Sequence, residues 1–230
     1  MALYTNVNLV APLGALALLG TGFVLLLAAL ALGYSLVAKK STLRRFALLT
    51  ITIVAGLYLA TLLGFSFASS ERVLARGEEK HFCEIDCHLA YSITEVRDTK
   101  VIGDAPNQAT ANGVFRVVTI KTRFDETTIG RNRGDALLYP NSRVVTISDA
   151  NGNEYFPSAA AQSVLEKSQT AGTPMTIPLR PTESYSTTFA FDLPAGVKDP
   201  TLWIREGELL TRFVIGHENS FLHKKTRFQI

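Results

Sequence analysis

The first 70 residues contain no aspartate or glutamate. All 20 acidic residues of this 230-residue chain lie from Glu71 onward. Residues 1–38 and 46–70 lack lysine and arginine as well. Charge-free apolar runs of this length exclude an ordinary water-facing surface for the N-terminal third, because about 20 apolar residues suffice to cross a bilayer. Cysteine occurs twice, at Cys83 and Cys87, and tryptophan once, at Trp203. The Cys…Trp…Cys signature of antibody domains is therefore absent, and Trp203 is expected as a core aromatic. There is no Gly-x-Ser-x-Gly, no His-Glu-x-x-His and no phosphate-cradling glycine loop. With no catalytic constellation legible, the chain is expected not to be an enzyme.

What is present divides the chain in three. Residues 1–70 are expected to form a transmembrane hairpin, with spans at about 9–38 and 46–68. The first run has no basic residues ahead of it and about twice the apolar length of a signal peptide, so an uncleaved helix is expected. Between the runs, Lys39, Lys40, Arg44 and Arg45 place four positive charges and no negative ones in a loop over 39–45. Short loops rich in lysine and arginine stay on the cytoplasmic side. The expected topology is multi-pass in the inner membrane, with the N-terminus and the large C-terminal part on the periplasmic or extracellular side. Removing those four charges from 23 leaves 19 basic residues against 20 acidic ones. The outer part is then nearly neutral, and the basic balance gives no reason to expect nucleic-acid binding.

In the second run, Gly56, Ala60 and Gly64 recur every four residues. Small residues at that spacing let helices approach closely in lipid. They are expected to pack the hairpin or to dock another membrane protein.

From residue 89 the pattern turns to strands. "GVFRVVTIKTRFD" (113–125) alternates in chemistry with a period of two. Its Val118 and Ile120 share a parity and are expected to face a core, with Arg116 at the sheet edge. "SRVVTISDANGNEYFPS" (142–158) reads as a hairpin turning at Asn151-Gly152. "AAAQSVLEKSQ" (159–169) reads as the one helix outside the membrane runs. "TLWIRE" (201–206) and "LLTRFVIG" (209–216) read as further strands. Seven or eight short strands separated by turn residues predict an all-β, immunoglobulin-like antiparallel sandwich over 89–230. Residues 71–88 form a stem carrying Cys-x-x-x-Cys-His.

Two motifs carry a resemblance. One is the turn Asp149, Asn151, Gly152, Tyr155; the other is Pro181, Glu183, Tyr185 leading into a strand that ends Phe191-Asp192-Leu193-Pro194. Over roughly 85–215 the chain resembles the bacterial extracellular immunoglobulin-like family of unknown function that includes the mycobacterial immunoprotective secreted antigen. The resemblance implies a sandwich fold and export, and no enzyme chemistry.

The stem leaves two chemistries open. In an oxidising compartment Cys83 and Cys87 are expected to pair, provided "EID" turns. Alternatively His81, Cys83, Cys87 and His88 offer a soft nitrogen and sulfur set suited to copper or zinc. Two membrane helices before an exported β domain resemble the layout of subunit II of haem-copper oxidases, whose copper loop also has Cys-x-x-x-Cys. That family places histidine and methionine where this chain has Tyr91 and Thr94, so the copper set is incomplete. "CEIDCH" is one residue too long for c-type haem attachment. On the disulfide reading His81 and His88 are surface groups. In the tail, His217 and His223 are expected in a solvated end that finishes in a short strand. The functional expectation is a membrane-anchored interaction or structural module, an accessory subunit contacting another membrane or periplasmic protein and needing no cofactor. The alternative is a periplasmic copper or redox protein.

Overall fold

The computed structural model describes residues 10–82, 87–127 and 134–230. The chain divides into two units: one holds residues 9–70 and 208–224, the other 71–207 and 225–230.

In the first unit, α1 (Val10–Val37) and α2 (Ser41–Ala68) are both 28 residues long, or about 42 Å at 1.5 Å per residue. Both are long and apolar enough to cross a membrane. α2 starts at Ser41, five residues earlier than the apolar run at 46 suggests. Arg44 and Arg45 therefore lie in its first turns, and the connection shrinks to about three residues around Lys39, which takes a positive φ of 54°. The covered side of α1 repeats at alternating steps of three and four: Ala11, Gly14, Leu18, Thr21, Leu25, Ala28, Leu32 and Ser35 are buried or half-buried. That spacing is the seam of a left-handed helix pair. On α2 the covered side runs through Ala47, Val54, Tyr58, Leu62 and Ser66. Gly56, Ala60 and Gly64 are exposed, with open space beside both glycines. The small-residue stripe of α2 thus does not hold the hairpin together.

Residues 208–224 belong to this same unit. They do not form the strand that "LLTRFVIG" suggests. Leu209–Phe213 is a 3-10 helix. The carbonyls of Glu208, Thr211, Val214, His217 and Ser220 each accept the N–H three residues on, so turn follows turn through the segment. Tyr58 donates to the Phe213 carbonyl at 2.6 Å, and the Lys224 N–H donates to Ser69 Oγ at 2.8 Å. A Cβ added to Gly14 would lie 2.0 Å from the Ile215 carbonyl oxygen. Only glycine allows that approach.

The second unit is β-rich. Its four-stranded sheet has the order β2 (Lys80–Phe82), β3 (Leu89–Asp104), β4 (Asn107–Phe124), β7 (Ser184–Leu193). Its five-stranded sheet has the order β1 (Arg72–Leu74), β9 (Thr226–Gln229), β8 (Thr201–Glu206), β5 (Arg143–Ser148), β6 (Glu154–Tyr155). All neighbours are antiparallel except β1 and β9, which are parallel. The sheets share one core, with Tyr91, Ile93, Val118, Ile120 and Phe191 from one and Val145, Ile147, Ile204 and Phe228 from the other. Val118 and Ile120 face that core with no exposure. The opposite parity of β4 is buried too: Phe115 and Val117 lie under α3 (Ala159–Lys167), against Ala161, Val164 and Leu165. Both faces of this strand are therefore packed, and β4 lies between β3 and β7 rather than at an edge. Arg116 meets Asp98 through two hydrogen bonds of 2.8 Å.

Trp203 is half-buried on the outer parity of β8, with Arg205 and Lys225 over its ring at 5.1 and 5.2 Å. It is an aromatic platform for cations, not a core residue. Residues 71–88, expected as a stem ahead of a sandwich starting at 89, contribute β1 and β2 to the two sheets.

The two turn motifs are explained by their hydrogen bonds. The Asp149 carboxylate accepts from the N–H groups of Asn151 and Asn153, from Asn153 Nδ2 and from the Tyr155 hydroxyl. The bond from Asn153 lowers its pKa most. Gly152, at φ 83°, completes the turn. Glu183 accepts from the Arg180 N–H at 2.7 Å, while Tyr185 donates to the Ile177 carbonyl at 3.0 Å. Burial pushes the Tyr185 pKa up to about 12.

Candidate functional site

The residues singled out in the stem converge on a group that the sequence did not single out, Asp125. In the four-stranded sheet His81 opposes Ala90, and Ala90 opposes Arg123. Residues directly opposite on neighbouring strands project to the same face. His81 and Arg123 thus flank the small Ala90 on the side of the sheet away from the shared core. Asp125 lies two residues beyond Arg123, just after β4 ends. Lys80, Phe82, Tyr91 and Phe124, on the alternate parity, turn inward.

The Asp125 carboxylate is saturated. Oδ2 lies 2.9 Å from His81 Nε2 and 3.0 Å from an Arg123 guanidinium nitrogen. Oδ1 accepts from the Thr127 N–H at 2.9 Å and the Thr127 hydroxyl at 2.7 Å. Its side chain is 4% exposed. Burial alone would raise its pKa. The hydrogen bonds from His81 and Thr127 and the charge of Arg123 outweigh burial and hold the carboxyl well below the usual range. Arg123 also grips Glu79 with two bonds of 2.8 and 2.7 Å, and this pairing raises its own pKa.

The main chain of Asp125 is used as well. Its N–H donates to the His88 carbonyl at 2.7 Å, and its carbonyl lies 2.5 Å from His88 Nδ1. The His88 ring stacks on Phe124 with centroids 5.0 Å apart. His88 is 1% exposed and the His81 side chain 8%. Neither histidine is the surface group that the disulfide reading expected. Asp125 therefore fixes both ends of the Cys83–Cys87 segment, His81 before it and His88 after it. Cys87 is fully buried and is not a free thiol. Cys83 lies outside the described residues, and so does any geometry of a Cys83–Cys87 pair or of the four-residue copper or zinc set.

Glu79, His81 and Asp125 have donor atoms within 4.8 Å of one another, a spacing at which a metal ion can be held. The donors are two oxygens and one nitrogen, not a sulfur-rich set. The positive charge that an ion would bring is already supplied by Arg123, which bonds both carboxylates. The geometry describes an ion-pair clasp. It joins β2, the start of β3 and the end of β4, and its chemical capacity is to hold a loop in register.

A second polar cluster lies between the sheets. Lys80 Nζ donates to the Ile204 and Thr226 carbonyls at 2.8 and 3.1 Å, linking the four-stranded sheet to β8 and β9. Arg143 has no side-chain exposure and lies 3.5 Å from Glu206. Its guanidinium is 4.2 Å from the Phe82 ring centre and 5.7 Å from that of Tyr91. The sequence carried one signal for this cluster. Lys80 shares the parity of Phe82, placing a lysine on an apolar face. His217 and His223 take no part in either cluster. They lie in the 208–224 segment, where His217 Nδ1 accepts from the Asn219 N–H at 2.9 Å.

No family model matches this chain, and no curated protein matches it. Two solved structures are similar. The secreted protein MPT63 of Mycobacterium tuberculosis is matched at 12% identity and a TM-score of 0.41, over 70% of this chain and 100% of that one. A conserved hypothetical protein from Bacillus anthracis is matched at 16% identity and a TM-score of 0.40, over 57% of this chain and 89% of that one.

Proposed function

We infer that this chain is a membrane-anchored exported module that works by contact rather than by catalysis, as an accessory component beside another membrane or periplasmic protein. The observation that carries the reading is the pair of helices. Each is 28 residues long, and large apolar side chains such as Leu19, Phe23, Leu30, Phe46, Leu57 and Phe67 lie exposed along them. A water-soluble unit does not leave such a surface open, whereas hydrocarbon covers it without cost. Lys39, Lys40, Arg44 and Arg45 assign the connection between the helices to the cytoplasm. The β-rich unit, read as an immunoglobulin-like sandwich, then lies on the periplasmic or extracellular side. In that compartment Cys87 pairs with Cys83, and the Asp125 clasp fixes His81 before the pair and His88 after it. The exposed stripe Gly56, Ala60, Gly64 on α2 supports the accessory role, since it offers a partner helix a close approach.

Topology is the test. In a Cys83→Ser, Cys87→Ser background, a cysteine placed at Ser41 should resist an impermeant thiol reagent in whole cells, and one at Asn151 should react. The opposite labelling would overturn the compartment and the disulfide together. Equal labelling of both would overturn the anchor.

A further inference from the structure

We propose that residues 208–224 form a strap that lies in the outer leaflet of the bilayer, at the boundary between headgroups and acyl chains, with the acyl chains covering its apolar side chains. The proposal rests on the anchor reading above and adds a second membrane contact to it. Leu209, Leu210, Phe213, Phe221 and Leu222 are all exposed, at 65%, 70%, 39%, 45% and 63%. This is a dense apolar surface for a segment that also carries Glu208, Arg212, His217, Glu218, His223 and Lys224. Phe213 and Phe221 meet edge to face with centroids 5.3 Å apart, which joins the two limbs of the strap into one surface.

The contacts within this unit set the depth. If Arg44 and Arg45 mark the inner boundary, about 20 residues at 1.5 Å each bring the ~30 Å hydrocarbon layer from Phe46 to Phe65. A Cβ on Gly216 would meet Val10 at 2.4 Å and Phe65 at 3.8 Å, so Gly216 lies at the outer boundary. Tyr58, whose hydroxyl donates to the Phe213 carbonyl, is attached seven residues before Phe65, or about 10 Å deeper along α2. The strap's far end returns to Ser69, beyond the boundary, through Lys224. Its apolar surface is thus continuous with the lipid-facing surface of the helices.

Backbone in such a place needs its polar groups satisfied within the protein. The run of three-residue turns from Glu208 to His223 pairs the N–H groups of Thr211, Val214, His217, Ser220 and His223, and the Phe221 N–H donates to the Arg212 carbonyl at 3.3 Å. Three polar side chains are turned on the strap itself: Asn219 Nδ2 donates to Thr211 Oγ1 at 3.1 Å, and the Ser220 hydroxyl donates to the Val214 carbonyl. Arg212 is exposed, and its long stem lets the guanidinium reach the phosphates.

The test uses the full chain in nanodiscs made with acyl-brominated phospholipid, in a Trp203→Phe background. Single tryptophans replace Leu210, Leu222 or, as a helix reference, Leu30. The expected result is loss of emission from all three in brominated lipid, with the Leu210→Trp and Leu222→Trp signals shielded from acrylamide. Quenching of Leu30→Trp alone overturns the strap and leaves the anchor standing. In that case a blue-shifted, unquenched Leu210→Trp means that protein, a partner or a second copy, covers the surface. An unquenched Leu30→Trp overturns the anchor and, with it, the strap.

Discussion

Replacing Asp125 with alanine removes the group on which the clasp converges. The carboxylate accepts hydrogen bonds from His81, from the Thr127 N–H and hydroxyl, and from Arg123. A hydrogen bond to a charged group contributes about 1.5–3 kcal/mol net, and breaking a buried ion pair costs about 3–5 kcal/mol. These terms do not add here. Arg123 keeps both bonds to Glu79 and is 31% exposed, so its charge is not stranded. Thr127 lies at a loop start and can turn to water. A loss of about 3 kcal/mol is expected, and for a unit of this size that lowers Tm by about 6–12 °C. Trp203, on β8, reports unfolding of the β-rich unit through its fluorescence in the detergent-solubilised full chain.

The pH dependence sharpens the test. Because folding depresses the Asp125 pKa, its stabilisation is fully present above the unfolded carboxylate value of about 3.9. It is lost as pH falls through the folded value. The Tm gap between the native chain and Asp125→Ala should hold from neutrality to about pH 5 and close in stronger acid. Asp125→Asn keeps the shape and removes the charge, so it should flatten the same acid limb. A drop of less than about 1 °C, or a gap unchanged in acid, would refute the account of the clasp.

Two further outcomes are expected. Ile120→Ala, at a site with no exposure in the shared core, should cost about 2–5 kcal/mol. Arg116→Ala, which loses a pair whose Asp98 side chain is 45% exposed, should cost no more than about 1 kcal/mol; equal losses from the two variants would contradict the packing described. Intact-mass measurement of the unreduced chain should show two hydrogens fewer than the reduced chain and no alkylation. Two alkylated thiols after chelation would instead favour metal at Cys83 and Cys87.

The strands and α3 were legible because each has a clear period. β5, β8 and α3 fall within a few residues of where alternation and helical spacing put them, and β4 ends where expected but begins six residues earlier, at Asn107. Their signal is local, and the core that buries Val118 and Ile120 only reinforces it. Three features were not fully legible, each for a physical reason. "LLTRFVIG" has strand composition, yet it turns every three residues because its partners are the two helices, at Gly14 and Tyr58, and not a strand. The Gly56, Ala60, Gly64 spacing is right for helix packing, but spacing alone does not say which side of α2 meets α1. The better signal lay in α1, where the small residues Gly14, Thr21, Ala28 and Ser35 recur every seven positions on the covered side, with Leu18, Leu25 and Leu32 between them. The clasp was half legible. His81 and His88 drew notice for their closeness to the cysteines, but Asp125 is 44 residues from His81 and 37 from His88. Only the register of β2, β3 and β4 brings it to them.

The parallel pairing of β1 with β9 has a consequence for biogenesis. Arg72–Leu74 follows α2 almost at once, yet its partner is Thr226–Gln229. The Glu71–Arg227 ion pair beside this seam spans 156 residues. Phe228, with no exposure, is a core residue supplied by that late strand. During synthesis the first strand emerges early and must wait for nearly the whole β-rich unit to follow before β9 can pair with it. β8 waits with it, its edge open until β9 arrives. Closing so long a loop is slow and late, so the β-rich unit cannot finish folding until β9 has been made. The interval between synthesis of β1 and arrival of Phe228 is when the open edges of β1 and β8 are exposed to mispairing, and when a chaperone would act.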